Sequence, residues 1–131
     1  MSNMNFLAVL AAAASSFLLG GLWYSPVLFG ATWQREAGDT RKKGEGHPVK
    51  VFGTSFAFAV LAAFAYAWLM PAPGGALPAM VQGCAVGLGL VAASFGINYQ
   101  FANRSTTLLA IDGGYHTLQF SLYGLIIGLW R

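Results

Sequence analysis

Asp112 and His116 are the residues of this chain best equipped for chemistry. They stand at i and i+4, which on a helix places both on one face, and Tyr115, Gln119 and Tyr123 share that face. A carboxylate and an imidazole so placed can trade a proton, hold a cation, or lock helices together. Asn98 and Arg104, upstream, are the polar groups able to join them. As metal ligands they fall short: one His and one Asp supply two donors where a site usually takes three or four. Only copies around an oligomer axis would complete such a set. A lone membrane histidine can also ligate a haem or chlorophyll-type pigment, but nothing else here supports one, so neither metal nor cofactor is expected. No nucleophile sits at a recognisable spacing from a histidine, and no phosphate-cradling loop or metalloprotease pair occurs. Ser25, beside Trp23 and Tyr24, has no evident base, and the chain reads as a non-enzyme. His47, before Pro48, reads as solvated, and Cys84, among glycines, as a small apolar packing residue.

The surroundings of these residues are apolar. Of 131 residues, 56% are hydrophobic and 8% charged, against about 25% charge in a soluble domain. Eight of the eleven charges lie between Arg35 and Lys50; Arg104, Asp112 and Arg131 are the others. So few charges cannot cover a water-exposed surface. The composition excludes a soluble enzyme, a disulfide scaffold and a nucleic-acid binder, and the bilayer is the expected partner. Spanning a bilayer core takes about 20 apolar residues. Four segments qualify, at about 5–24, 51–70, 79–101 and 107–130. The first lacks a basic leading region and is read as a retained span rather than a cleaved signal peptide. The predicted fold is an all-α integral membrane protein: one compact bundle of four transmembrane helices, with a short interfacial helix after the first span. That short helix would run from Pro26 to about Ala37, with Phe29, Trp33 and Ala37 on one stripe, before a charged loop at 35–50.

Positive charge sets orientation. The connection from Pro26 to Lys50 carries Arg35, Arg41, Lys42, Lys43 and Lys50, and the third connection carries Arg104; the opposite side has only Arg131. The first and third connections are therefore expected in the cytoplasm and both termini outside it, in a bacterial inner membrane. Each span offers a stripe of small residues for close packing. These are Ala8, Ala12, Ser16 and Gly20; Ser55, Ala59, Ala63 and Ala67; Gly83, Gly87, Gly89, Ala92 and Gly96; and Gly113, Thr117, Ser121, Gly124 and Gly128. The Gly124-Leu125-Ile126-Ile127-Gly128 motif fits packing within one chain or between two. The bulky stripe Phe52, Phe56, Val60, Phe64 and Trp68 suits lipid or a partner. By helical rise, Asp112 sits about 10 Å into the core and His116 about 16 Å. Asn98 lies level with Asp112, so Asn98 and His116 are the expected partners of Asp112, ahead of Arg104.

Two stretches carry a family resemblance. One is Gly21-Leu22-Trp23-Tyr24-Ser25-Pro26-Val27-Leu28-Phe29-Gly30, with Trp33 following. The other is Ile111-Asp112-Gly113-Gly114-Tyr115-His116, with Gln119-Phe120 and a closing Gly128-Leu129-Trp130. Together they resemble small bacterial membrane proteins with four predicted spans, catalogued as a domain of unknown function. The resemblance covers nearly the whole chain and carries no activity. It implies that Trp23, Tyr24, Ser25, Pro26, Asp112, Gly113, Gly114, Tyr115 and His116 belong to the family's pattern. Two functions are expected from these readings. One is a proton- or cation-linked transporter or channel-like protein, homo-oligomeric, with Asp112 and His116 as working groups. Tyr115, Gln119 and Asn98 would line its path, supported by Trp23, Tyr24, Ser25 and Arg104. The alternative is a non-catalytic accessory or assembly subunit of a larger membrane complex.

Overall fold

The computed structural model describes residues 4–38 and 48–130, and within them the chain is helical. The elements are α1 (Phe6–Trp23), α2 (Gly30–Ala37), α3 (Pro48–Leu69), α4 (Ala76–Val86), α5 (Ala93–Phe101) and α6 (Thr106–Trp130). A π-helical stretch, Gly87–Ala92, joins α4 to α5 without a break. Three helices are long and apolar enough to cross a membrane: Phe6–Trp23, Val49–Leu69 and Ala76–Phe101. α6 is as long, at 25 residues, but Asp112, His116 and Gln119 interrupt its apolar character and it is not among the three. Arg41, Lys42, Lys43, His47 and Arg131, on which part of the charge argument rests, lie outside the described residues.

α6 is the centre of the molecule. α1 runs antiparallel beside it: the Asn5 side chain caps α1 by accepting from the Leu7 and Ala8 amides and also donates to the Trp130 carbonyl at 2.7 Å. The α1–α3 seam is built from small residues. Ala8, Ala12 and Ala13 face Ala59, Ala63 and Ala67, and Tyr123 and Ile127 of α6 fill the space between them. In lipid, such close packing replaces the hydrophobic drive that assembles helices in water.

The opposite face of α6 meets α4. A Cβ on Gly83 would run into the Phe120 carbonyl, and one on Gly124 into the Ala79 carbonyl. At Gly87 it would stand 2.8 Å from the His116 carbonyl, and at Gly128 2.8 Å from the Ala79 side chain. The Gly124–Gly128 motif is therefore spent on α4 within the same chain. Gly89, which the small-residue stripe included, meets nothing within 4 Å.

α3 touches α6 chiefly through its later residues. Tyr123 donates to the Ala59 carbonyl at 3.2 Å, and Tyr66 packs on Phe120. Earlier in α3, Val51, Phe52, Ser55 and Phe58 are exposed and stand off from α6, which leaves a cleft. The predicted helix from Pro26 begins only at Gly30, because residues 24–29 form a turn. Two residues of its stripe are turned toward the bundle. The Phe29 ring packs at a tilt against Trp23, centroids 4.8 Å apart, and Trp33 points to α6.

Candidate functional site

The turn after α1 is fixed by its own backbone. Ser25 Oγ donates to the Leu22 carbonyl at 2.7 Å, ending the helix. The Phe29 amide returns to the Trp23 carbonyl and the Gly30 amide to the Ser25 carbonyl. Gly30 sits so close to the Tyr24 and Ser25 carbonyls that any side chain would collide with them. The turn aims three aromatics at α6. Trp23 Nε1 donates to the Ile111 carbonyl at 2.9 Å, Tyr24 Oη to Asp112 Oδ1 at 2.7 Å, and Trp33 Nε1 to the same oxygen at 3.0 Å.

On α6 each residue from Asp112 to His116 has its own counterpart. Asp112 is 9% exposed and accepts from Tyr24, Trp33 and, on Oδ2, from Tyr99 of α5. All three are donors, the set a carboxylate takes up. Gly113 lets Ala92 approach, and Gly114 lies under the Trp23 ring. Tyr115 donates to the Ser16 carbonyl at 2.9 Å. His116 stacks on Phe95 at 4.8 Å and pairs through Nδ1 with Gln119 Oε1 at 2.5 Å.

The direction of this last chain can be followed. Tyr123 gives its proton to the Ala59 carbonyl, so it accepts from Gln119 Nε2 at 2.8 Å. Gln119 therefore turns its carbonyl oxygen to His116, whose Nδ1 must donate. In a neutral imidazole, Nε2 is then an acceptor.

Two predicted partnerships are corrected. Asn98 is exposed and makes no contact with Asp112; its neighbour Tyr99 does instead. The π stretch accounts for the slip. The residues of this rod that face α6 are Gly83, Gly87, Ala92, Phe95 and Tyr99, and the step from 87 to 92 is one residue longer than an α-turn allows. An unbroken α-helix counted from Gly87 would bring position 98 to α6; the extra residue brings Tyr99 there instead. His116 does not bond Asp112 either, since Gln119 occupies its Nδ1. Arg104 donates to the Ala37 carbonyl at 2.9 Å, closing the end of α2 rather than pairing with Asp112. The turn that places it has Asn103 in the left-handed region, at φ 56°.

Sequence reasoning missed Tyr99, Phe95 and the direct role of Trp33. Of these only Trp33 carried a signal, as a tryptophan four residues after Phe29 on the turn-side stripe.

Two adjoining cavities occupy the cleft left by α3. The first, about 670 Å³, is lined by Tyr24, Gly30, Trp33, Gln34 and Asp112. The second, about 930 Å³, is lined by Phe17, Phe58, Tyr115, His116, Gln119 and Phe120. Tyr24, Val51, Phe52 and Ser55 belong to both. Tyr123, one turn beyond Gln119 on α6, and Ser16 are both fully buried. Among the described residues, no three His, Cys, Asp or Glu side chains gather in a way that would hold a metal ion.

No curated protein and no solved structure matches the chain. The family model described as "Protein of unknown function (DUF1761)" matches residues 7–128, which take in both the turn after α1 and the Asp112–His116 segment. The chain belongs to that family.

Proposed function

We propose that this protein is a four-span integral membrane protein that moves a solute in a proton- or cation-linked manner, as a transporter or channel-like protein and not as an enzyme. α6 is the fourth span, tolerated in lipid because its polar face is turned to α1, α2 and α5. The charged connections lie in the cytoplasm of a bacterial inner membrane, and a homo-oligomer is the working form. The observation that carries the reading is the two-lobed cleft, which holds a carboxylate in one lobe and an imidazole in the other. Ionisable side chains lining a cleft inside a membrane bundle are the usual mark of a solute or ion path. Asp112, with its three donors, organises one lobe. His116 and Gln119 face the solute, and Tyr115 lines the path.

The test is proton flux in proteoliposomes carrying a trapped pH-sensitive dye, under inward gradients of sodium, potassium and tetraethylammonium in turn. The expected result is a cation-dependent pH change that His116→Gln abolishes in a folded protein. No flux above that of empty vesicles would overturn the reading. A second reading, an accessory subunit of a larger complex, draws on the exposed aromatic face of α3, where Phe52, Phe58 and Trp68 stand outward. Co-purification of a stoichiometric partner would favour it.

A further inference from the structure

Asp112 is a carboxyl group held inside a helical bundle, and its hydrogen-bond partners among the described residues carry no positive charge. Its partners are two phenols and an indole, and Arg104 is committed to the Ala37 carbonyl. Among the described residues it forms no ion pair. Three hydrogen bonds satisfy the carboxyl group but bring it no positive charge, and an acidic group so placed in a bundle interior suits a cationic partner. The lobe it faces is walled by the rings of Tyr24, Trp33 and Phe52. Aromatic faces beside a carboxylate attract cations that lack hydrogen-bond donors, because the ring quadrupole needs no directed bond. Three donors already occupy most of the carboxylate's roughly four acceptor sites, which leaves little for an ammonium seeking several hydrogen bonds and suits a delocalised or quaternary cation better. The neighbouring lobe is larger and walled mainly by apolar side chains, among them Phe17, Phe58 and Phe120.

We propose that the cleft binds a lipophilic organic cation, with its charged head in the lobe at Asp112 and its apolar body in the lobe between α1 and α3. This rests on the reading of the cleft as the solute site and names the class of solute. Entry is lateral, from the bilayer, past the exposed Val51, Phe52 and Phe58.

The test uses the full chain purified in detergent, with tetraphenylphosphonium as probe and triphenylphosphine oxide as its neutral counterpart. Equilibrium dialysis should show saturable binding of one cation per chain. Asp112→Asn, checked as folded by its thermal transition, should bind at least tenfold more weakly, and the neutral compound should not compete. Equal affinity in Asp112→Asn, or equal competition by the neutral compound, overturns the proposal. If Asp112→Asn does not fold, Ser55→Cys in a Cys84→Ala background reads the same site. Tetraphenylphosphonium should slow its reaction with a maleimide and the neutral compound should not; absence of that difference also overturns the proposal. Binding without proton flux would keep the ligand class and remove the transport reading, while flux without binding would do the reverse.

Discussion

Asp112 ties together four segments: the end of α1 through Tyr24, α2 through Trp33, α5 through Tyr99, and its own α6. Removing the acceptor therefore harms more than one contact. Asp112→Leu leaves two hydroxyls and an indole N–H to find partners in an apolar setting, where each orphaned donor costs about 1–3 kcal/mol. Asp112→Asn keeps an oxygen for Tyr24 and Trp33, and Tyr99 can turn its hydroxyl to accept from the new amide. Thermal unfolding in detergent should show Asp112→Leu strongly destabilised and Asp112→Asn close to the parent. Tyr99→Phe tests the corrected partner. It should cost about 0.6–1.7 kcal/mol, the range measured for single hydrogen bonds between membrane helices. Asn98→Ala should fall within about 0.5 kcal/mol of the parent, as expected of an exposed position. A larger loss for Asn98→Ala than for Tyr99→Phe would contradict the assignment.

At the level of elements, the π stretch decides which side chains reach the site. A π turn carries one residue more than an α-turn, and the residues beyond it are rotated by about 100° relative to an unbroken α-helix. Leu90 lies in this stretch and is 65% exposed, so nothing packs on it tightly. Deleting Leu90 should let the stretch close as ordinary α-helix while Phe95 and Tyr99 keep their facing to α6. Deleting Ile97, equally exposed at 64% but within regular α5, should swing Tyr99 off Asp112. The expected outcome is a folded, near-parental thermal transition for the first deletion and a large drop for the second. Here the limits of sequence reading become physical. Small residues every fourth position identified the packing faces of α1, α3 and α6, since close approach needs them and nothing else does. The phase of α5 was not legible, because an extra residue in a π turn leaves no mark in a run such as Gly87-Leu88-Gly89-Leu90. The turn at residues 24–29 was hidden for a related reason. Ser25-Pro26 is a good helix start, and only the backbone crowding at Gly30 shows that the chain folds back first.

For the molecule as a whole, the geometry places the basic groups it describes at one end. Arg104 reaches the Ala37 carbonyl, so the connection after α5 and the connection after α1 lie together. The Asn5–Trp130 bond brings the start of α1 to the end of α6, and the run from Pro71 to Gly75, which carries no charge, follows the end of α3. Such a one-ended distribution is what positive-inside orientation acts upon: lysine and arginine near span ends resist translocation, and acidic residues contribute little. The proposed orientation therefore puts α2 in the cytoplasmic layer, with the lobe of the cleft lined by Trp33 and Gln34, and puts the Pro71–Gly75 turn outside. It also puts the Asp112 lobe of the cleft nearer the cytoplasmic side and the His116 lobe deeper. Single cysteines in a Cys84→Ala background report this directly. Ala72→Cys should react with a membrane-impermeant maleimide in intact spheroplasts, and Gln34→Cys should react only after the membrane is opened. Both positions are exposed in the fold, so a failure to label reflects the side of the membrane rather than burial. The inverse pattern would reverse the orientation and put the Asp112 lobe nearer the outer side, while leaving the helix packing and the Asp112 contacts untouched.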